Sequence, residues 1–131
     1  MIAKISSTEN LGRALGYNFK KVQRNEATVL CVNELRKGFD GTFQMDKVLA
    51  DMQKTLPEQC RTKKTVFHCS LNPHPDEKLS DERLTQIAKE YMEELGYGKQ
   101  PYIVFKHNDI AREHIHIVSL RVDSQGRKIN D

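Results

Sequence analysis

Apolar positions follow two different periods along the chain, and the alternation between these periods predicts eight secondary-structure elements. Short runs rich in β-branched residues, among them ATVLCVNEL and TVFHCSL, have the composition of strands. Segments with an apolar residue at every third or fourth position, such as the one from Glu9 to Val22, have the period of a helix that buries one face. The predicted order is β-α-β-α-β-α-β-β. It indicates an α+β fold, a mainly antiparallel sheet with helices packed on it.

Residues with specific roles at helix ends support these boundaries. Thr8 has the side chain of a helix N-cap and precedes the first helix, and Ser80 stands in the same position before the third. Pro57 follows the second helix, DKVLADMQKTL, and would end it, since proline has no backbone N–H to continue the hydrogen bonds. Gly96 stands where a left-handed residue would close the third helix.

Three of the five histidines lie in the segment HNDIAREHIHI, residues 107 to 117, between two β-branched runs. These runs predict two strands joined by a short polar link. Because successive side chains of a strand alternate between faces, His114 and His116 point the same way. An antiparallel neighbour returning through the link would bring His107 beside them. Three imidazoles in this arrangement could hold one divalent ion, and we expect manganese, magnesium or zinc.

The histidine segment also has other interpretations. Each histidine could be an ordinary hydrogen-bonded residue, and Asp109 and Glu113 could be solvated turn residues or could orient a ligand histidine. Cupins share H-x-H on a strand, but the downstream glutamate and distant histidine of that fold do not follow here. The H-x-D of iron oxygenases is matched by His107 and Asp109, yet His114 follows too closely to be the remote ligand.

Tyr17, in NLGRALGYNFKKV, lies away from the apolar stripe of the first helix, about 120° from its centre on a helical wheel. Most aromatic residues so placed are half-exposed packing residues, and a nucleophile is the alternative. Tyr91 is a contrasting case, because it lies on the apolar stripe of its own helix and is predicted to be core. Basic residues near Tyr17 would attract phosphate groups. They are Arg13, Lys20, Lys21 and Arg24.

Composition indicates one soluble domain, residues 1–131, with 37% hydrophobic and 30% charged residues. No apolar run approaches the roughly 20 residues that cross a bilayer, and MIAKISS is too short for the core of a signal peptide. We therefore expect a cytoplasmic protein without a membrane partner. The three cysteines stand singly, which argues against a disulfide framework or a cysteine zinc site. The net charge of +3 decides little alone.

Three segments together resemble the relaxases of mobilisable plasmids and transposons, in particular the MobA/VirD2-type mobilisation relaxases of the HUH endonuclease superfamily. They are GRALGYNFKK, SLNPHPDEKLSDE and HNDIAREHIHIVSLRVDSQGRK. The last segment is a specific match, the first is moderately specific, and the central one is weak. Relaxases of this family are normally longer, so we expect either a truncated form or a compact relative.

The resemblance implies roles for individual residues. Tyr17 corresponds to the catalytic nucleophile, and His107, His114 and His116 correspond to the metal ligands. Ser70 and Glu77 fall near the central motif and receive no role. The fold implied is the sandwich of the HUH endonucleases. Phosphate contacts are expected from basic residues of the first and last segments, namely Arg13, Lys20, Lys21, Arg24, Arg121 and Arg127.

By the same resemblance, the protein would nick single-stranded DNA at an origin of transfer and remain attached through a 5′-phosphotyrosyl bond. Accessory mobilisation proteins would be further partners. Two alternatives stay open. A rolling-circle replication initiator of the same superfamily would use the same residues at a different origin. A non-catalytic module would bind single-stranded DNA while its histidines hold a structural metal or none.

Overall fold

The computed structural model describes residues 1 to 108 and 113 to 129 of the chain. Its elements follow the predicted order, β-α-β-α-β-α-β-β. Their bounds are β1 Ile2–Thr8, α1 Leu11–Gln23, β2 Ala27–Asn33, α2 Met45–Thr55, β3 Val66–Asn72, α3 Asp81–Glu94, β4 Tyr102–His107 and β5 His114–Leu120. The α+β fold predicted from the sequence is confirmed. None of the described helices is long and apolar enough to span a bilayer.

The five strands form one sheet in the order β1-β3-β5-β4-β2, and every pair of neighbours is antiparallel. Strand β5 is therefore central, with β3 on one side and β4 on the other. Central strands have neighbours on both edges, so their backbone hydrogen bonds are satisfied and their side chains are held in a fixed register. The two predicted histidine strands, β4 and β5, thus occupy the most constrained part of the sheet.

Helices cover both faces of the sheet and create two hydrophobic cores. On one face, α1 and α2 pack on β4 and β5 through residues such as Leu15, Phe19, Val48 and Phe105. On the other face, the core is made by α3 with Phe67 and further strand residues. Full burial of one such side chain stabilises the fold by about 1.5–3 kcal/mol. His107, His114 and His116 lie on the face covered by α1.

The ends of the helices confirm one of the two predicted caps and correct the other. Ser80 caps α3, where its Oγ accepts a hydrogen bond from the backbone N–H of Arg83 at 3.1 Å. The prediction that Thr8 caps α1 is wrong, because Thr8 is still paired with Val66 in the sheet. The cap is Asn10, whose Oδ1 accepts from the Arg13 N–H at 2.9 Å. Helix α1 consequently begins two residues later than predicted, at Leu11.

The turns that follow the helices agree with the sequence interpretation. Gly96 has a φ of +90°, the left-handed conformation predicted after α3. Helix α2 ends at Thr55, before Pro57. Asn25, between α1 and β2, also has a positive φ, of 60°. Asparagine tolerates this conformation better than most residues, so the chain can reverse directly from α1 into an edge strand.

Candidate active site

Three histidines meet on the face of the sheet that α1 covers. His107, at the end of β4, is directly opposite His114, at the start of β5, and His116 follows two residues later on the same face. Each residue offers one ring nitrogen, and these nitrogens all lie within 4.8 Å of one another. The juxtaposition expected from the sequence is thus present, and it results from the register of the two strands.

The imidazole rings pack closely against one another. The ring centroids of His107 and His116 are 3.9 Å apart in a stacked arrangement, and His114 lies 5.2 Å from His107 and 5.0 Å from His116. Burial and the neighbouring histidines lower the pKa of His116 to about 3. The ring is therefore neutral at physiological pH, so one of its nitrogens keeps a lone pair that could bind a metal ion.

The donor set fits a divalent transition-metal ion. Neutral imidazoles are suitable ligands for zinc, manganese and similar ions, whereas calcium prefers oxygen. His114 Nδ1 is buried, and no hydrogen-bond partner for it is found among residues 1–108 and 113–129. A buried polar atom in this state is costly unless something binds it. The histidine cluster is thus suited to hold a metal ion through three nitrogens.

Tyr17 lies on α1 beside this cluster and is open to solvent. Its ring centroid is 6.2 Å from that of His107 and 6.4 Å from that of His116, and 52% of the residue is exposed. Lys21, one turn further along α1, holds its Nζ 5.2 Å from the centroid of the Tyr17 ring. The tyrosine displaced from the apolar stripe therefore stands between the histidines and the solvent, with a positive charge beside it.

The other three tyrosines are placed differently. Tyr97 and Tyr102 are buried in the core against α3. Tyr91 packs on the same core, as its position on the apolar stripe predicted, and burial with the contact to Cys69 raises its pKa to about 12. Of the chain's four tyrosines, Tyr17 alone combines an exposed ring with proximity to the histidines.

Asn18 is a contact of the histidine cluster that the sequence interpretation missed. It is fully buried on α1, and its Oδ1 lies 2.7 Å from His107 Nε2. Its Nδ2 donates to the carbonyl oxygen of Ala14 at 2.9 Å. A signal existed in the sequence, because residue 18 falls on the apolar stripe of α1, where a polar side chain requires a partner.

His68 is the second missed contact. On β3, which neighbours β5, its Nε2 lies 3.1 Å from His116 Nδ1, and the two rings are stacked with centroids 5.2 Å apart. Burial lowers the pKa of His68, so this ring is held in its neutral form. No local signal identified it, because the contact depends on the register between β3 and β5.

Glu113, one of the two acidic candidates between β4 and β5, contacts a lysine side chain. The Glu113 carboxylate lies 3.1 Å from Lys106 Nζ, which also pairs with Asp81 at the start of α3. Asp109 falls outside the described residues. Among the described residues, Asn18 contacts the ring of His107 and His68 contacts the ring of His116. A role for Glu113 or Asp109 in orienting a histidine stays a prediction.

Ser70 and Glu77, which fall near the central motif, each have a defined place in the structure. Ser70 is the strand partner of His116 across β3 and β5, so its side chain shares the face of the cluster. The Glu77 carboxylate accepts a hydrogen bond from the backbone N–H of His74 at 3.2 Å and closes the turn after β3. Neither contact assigns a chemical role.

The candidate phosphate-binding residues lie in three places. Lys20, Lys21 and Arg24 lie in the last turns of α1 or directly after it, and Lys21 Nζ is 5.2 Å from the Tyr17 ring centroid. Arg121 follows the opposite end of β5, about 23 Å from His114 at the strand rise of about 3.3 Å per residue, and Arg127 lies in the turn beyond it. Arg121 Nη1 donates to the Lys64 carbonyl at 2.8 Å, and a surface depression near Lys64 is lined by Arg13.

Comparison with protein-family models matches residues 17–131 to the family described as Relaxase: MobA/VirD2-like, nuclease domain. The match begins at Tyr17 and includes the whole histidine segment. No curated protein and no solved structure matched the chain.

Proposed function

The chain belongs to the MobA/VirD2-like relaxase nuclease family, and on this premise we propose that it nicks single-stranded DNA at an origin of transfer through a covalent phosphotyrosyl intermediate. The family implies a DNA endonuclease that acts as a relaxase. Tyr17 is the proposed nucleophile, and His107, His114 and His116 are the proposed ligands of a divalent ion. The observation that carries this proposal is the exposed Tyr17 ring 6.2 and 6.4 Å from two rings of the histidine cluster.

The proposed reaction is a transesterification. A divalent ion held by the three histidines would polarise the non-bridging oxygens of the phosphodiester and stabilise the charge of the transition state. The Tyr17 oxygen forms a bond to phosphorus while the bond from phosphorus to the 3′ oxygen breaks. The phenol loses its proton, and the 3′ oxygen leaves as a hydroxyl. The solvent-exposed side of Tyr17 leaves room for the DNA strand on the side away from the core.

Formation of a phosphotyrosyl ester suits mobilisation better than hydrolysis of the DNA strand does. The new ester keeps the number of phosphodiester bonds unchanged, so a 3′ hydroxyl can later attack it and rejoin the strand. Hydrolysis by water would lose this bond. We therefore propose that the protein serves plasmid or transposon mobilisation, with accessory mobilisation proteins as partners at the origin.

Single-stranded DNA would approach Tyr17 across the end of α1. Lys20, Lys21 and Arg24 supply positive charge there, and phosphate contacts of this kind provide affinity without reading sequence. Arg121 and Arg127 would hold a more distant part of the strand, since Arg121 lies about 23 Å from His114 along β5, a distance that spans several nucleotides.

The experiment that tests this function uses single-stranded oligonucleotides that span candidate origins, incubated with the protein with and without manganese and separated on a denaturing gel. We expect a nick that requires the ion and leaves a slower-migrating protein–DNA species. The matched control is Tyr91→Phe, which removes a hydroxyl from a core tyrosine and should leave nicking intact. Binding without any cleavage would favour the non-catalytic module, and cleavage confined to a replication origin would favour the rolling-circle initiator.

A further inference from the structure

We infer that Asn18 is a positioning residue, which fixes the tautomer and orientation of His107 so that Nδ1 of this ring is the atom presented to the metal. The inference rests on the metal site of the proposed function and adds a residue to it. Asn18 is fully buried and contacts His107 Nε2 at 2.7 Å. It directly follows Tyr17, so α1 carries the nucleophile and this positioning residue in neighbouring positions.

The direction of the hydrogen bond follows from the second contact of Asn18. Its Nδ2 lies 2.9 Å from the Ala14 carbonyl oxygen, which can only accept. The amide nitrogen therefore faces Ala14, and the amide oxygen faces His107. An amide oxygen can only accept as well, so His107 Nε2 must carry the ring hydrogen. In a neutral imidazole the lone pair is then on Nδ1.

This assignment has a consequence for metal binding. A ring nitrogen that carries a hydrogen cannot ligate an ion, so Asn18 excludes Nε2 of His107 and leaves Nδ1 as the ligand. Because both partners are buried, the bond is shielded from water and cannot be replaced by solvent. Residues that hold a ligand histidine in this way commonly change metal affinity by about 10- to 100-fold when they are removed.

The structure also explains why only a few side chains would serve at position 18. Leucine has nearly the shape of asparagine but no acceptor, and aspartate keeps the acceptor without the Nδ2 donor. Loss of that donor leaves the Ala14 carbonyl satisfied by the backbone hydrogen bond of the helix. Aspartate should therefore preserve the contact to His107, whereas leucine should abolish it.

The test combines nuclear magnetic resonance of the imidazole nitrogens with zinc titration of the parent, Asn18→Leu and Asn18→Asp. In the metal-free parent, His107 should be the tautomer with hydrogen on Nε2, and zinc should bind at Nδ1. Asn18→Leu should weaken zinc affinity by about 10- to 100-fold and give a mixture of the two His107 tautomers. Asn18→Asp should keep the zinc affinity and the tautomer of the parent. Circular dichroism checks that each variant is folded.

The inference is overturned if the parent binds zinc through Nε2 of His107, or if the folded leucine variant keeps the parent's tautomer and affinity. Should the leucine variant not fold, the tautomer of the parent alone decides, because the opposite tautomer contradicts the hydrogen bond to Asn18. A parent that binds no zinc at all would instead remove the metal site of the proposed function, and this result is distinguishable from the wrong ligand atom.

Discussion

At the scale of single residues, exposure separates Tyr17 from the other tyrosines. A nucleophile must reach a phosphate that arrives from solvent, and 52% of Tyr17 is exposed beside the histidine rings. Tyr91 has the same phenol, but it is partly buried against the core on the other face of the sheet, and burial with the contact to Cys69 raises its pKa to about 12. The proposed role of Tyr17 as nucleophile therefore depends on its position on α1, away from the apolar stripe.

Replacement of a histidine in the cluster should weaken metal binding. His107→Ala, His114→Ala and His116→Ala each remove one proposed ligand, and we expect a loss of manganese affinity of about tenfold or more for each. Calorimetry measures this. His74→Ala is the matched control, because that ring is exposed in the turn after β3 and should leave affinity unchanged. A triple alanine variant that binds manganese as tightly as the parent would place the site elsewhere.

Local periodicity was enough to predict that His114 and His116 share a face and that Tyr17 lies off the apolar stripe of α1. The contacts of Asn18 and His68 with the cluster were missed because their partners are distant along the chain, although a polar residue on the apolar stripe of α1 was a usable signal for Asn18. His68 becomes recognisable only once β3 is known to neighbour β5. The N-cap of α1 was wrongly assigned to Thr8 because both Thr8 and Asn10 have suitable side chains. Only the pairing with Val66 assigns Thr8 to the sheet.

At the scale of elements, α1 links the two parts of the proposed site. Its exposed side carries Tyr17, and its buried side carries Asn18 in contact with β4. The eight elements were predictable because each has its own local pattern, with Ser80 and Gly96 marking the ends of α3. The strand order β1-β3-β5-β4-β2 could not be predicted from local patterns, because it results from contacts between segments far apart in sequence.

The start of α1 offers a prediction for the stability of this element. Asn10→Ala removes the acceptor for the Arg13 N–H and should lower the free energy of unfolding by about 1 kcal/mol. Asn10→Ser keeps an acceptor and should be close to the parent. Urea denaturation measures both. Equal loss in the two variants would show that the cap hydrogen bond is not what stabilises this end of the helix.

At the scale of the whole molecule, the charges near Tyr17 should determine how the protein binds DNA. Affinity for single-stranded DNA should fall with salt, with a logarithmic slope of about −0.7 per phosphate contact. Neutralising Lys20 and Arg24 together as glutamine should therefore reduce the slope by about 1.4. Fluorescence anisotropy at several salt concentrations measures this slope.

The matched control for the salt experiment is Lys89→Gln with Lys99→Gln. Both lysines are exposed and belong to α3 and the turn that follows it, on the other face of the sheet from α1. This variant has the same net charge as the first and should keep the parent's slope. A flat salt dependence of the parent would remove DNA as the partner, and equal slopes for the two variants would move the contact surface away from α1.

The attachment of DNA to Tyr17 is the most direct test of the proposed chemistry. After reaction with origin DNA, mass spectrometry of the digested protein should find a nucleotide esterified through its 5′ phosphate to Tyr17, and the other fragment should end in a free 3′ hydroxyl. Tyr17→Phe should form no adduct while it retains manganese binding and most of its affinity for DNA. A nucleotide on another tyrosine would contradict the assignment of Tyr17, and cleavage by Tyr17→Phe with hydrolysed ends would contradict the phosphotyrosyl mechanism.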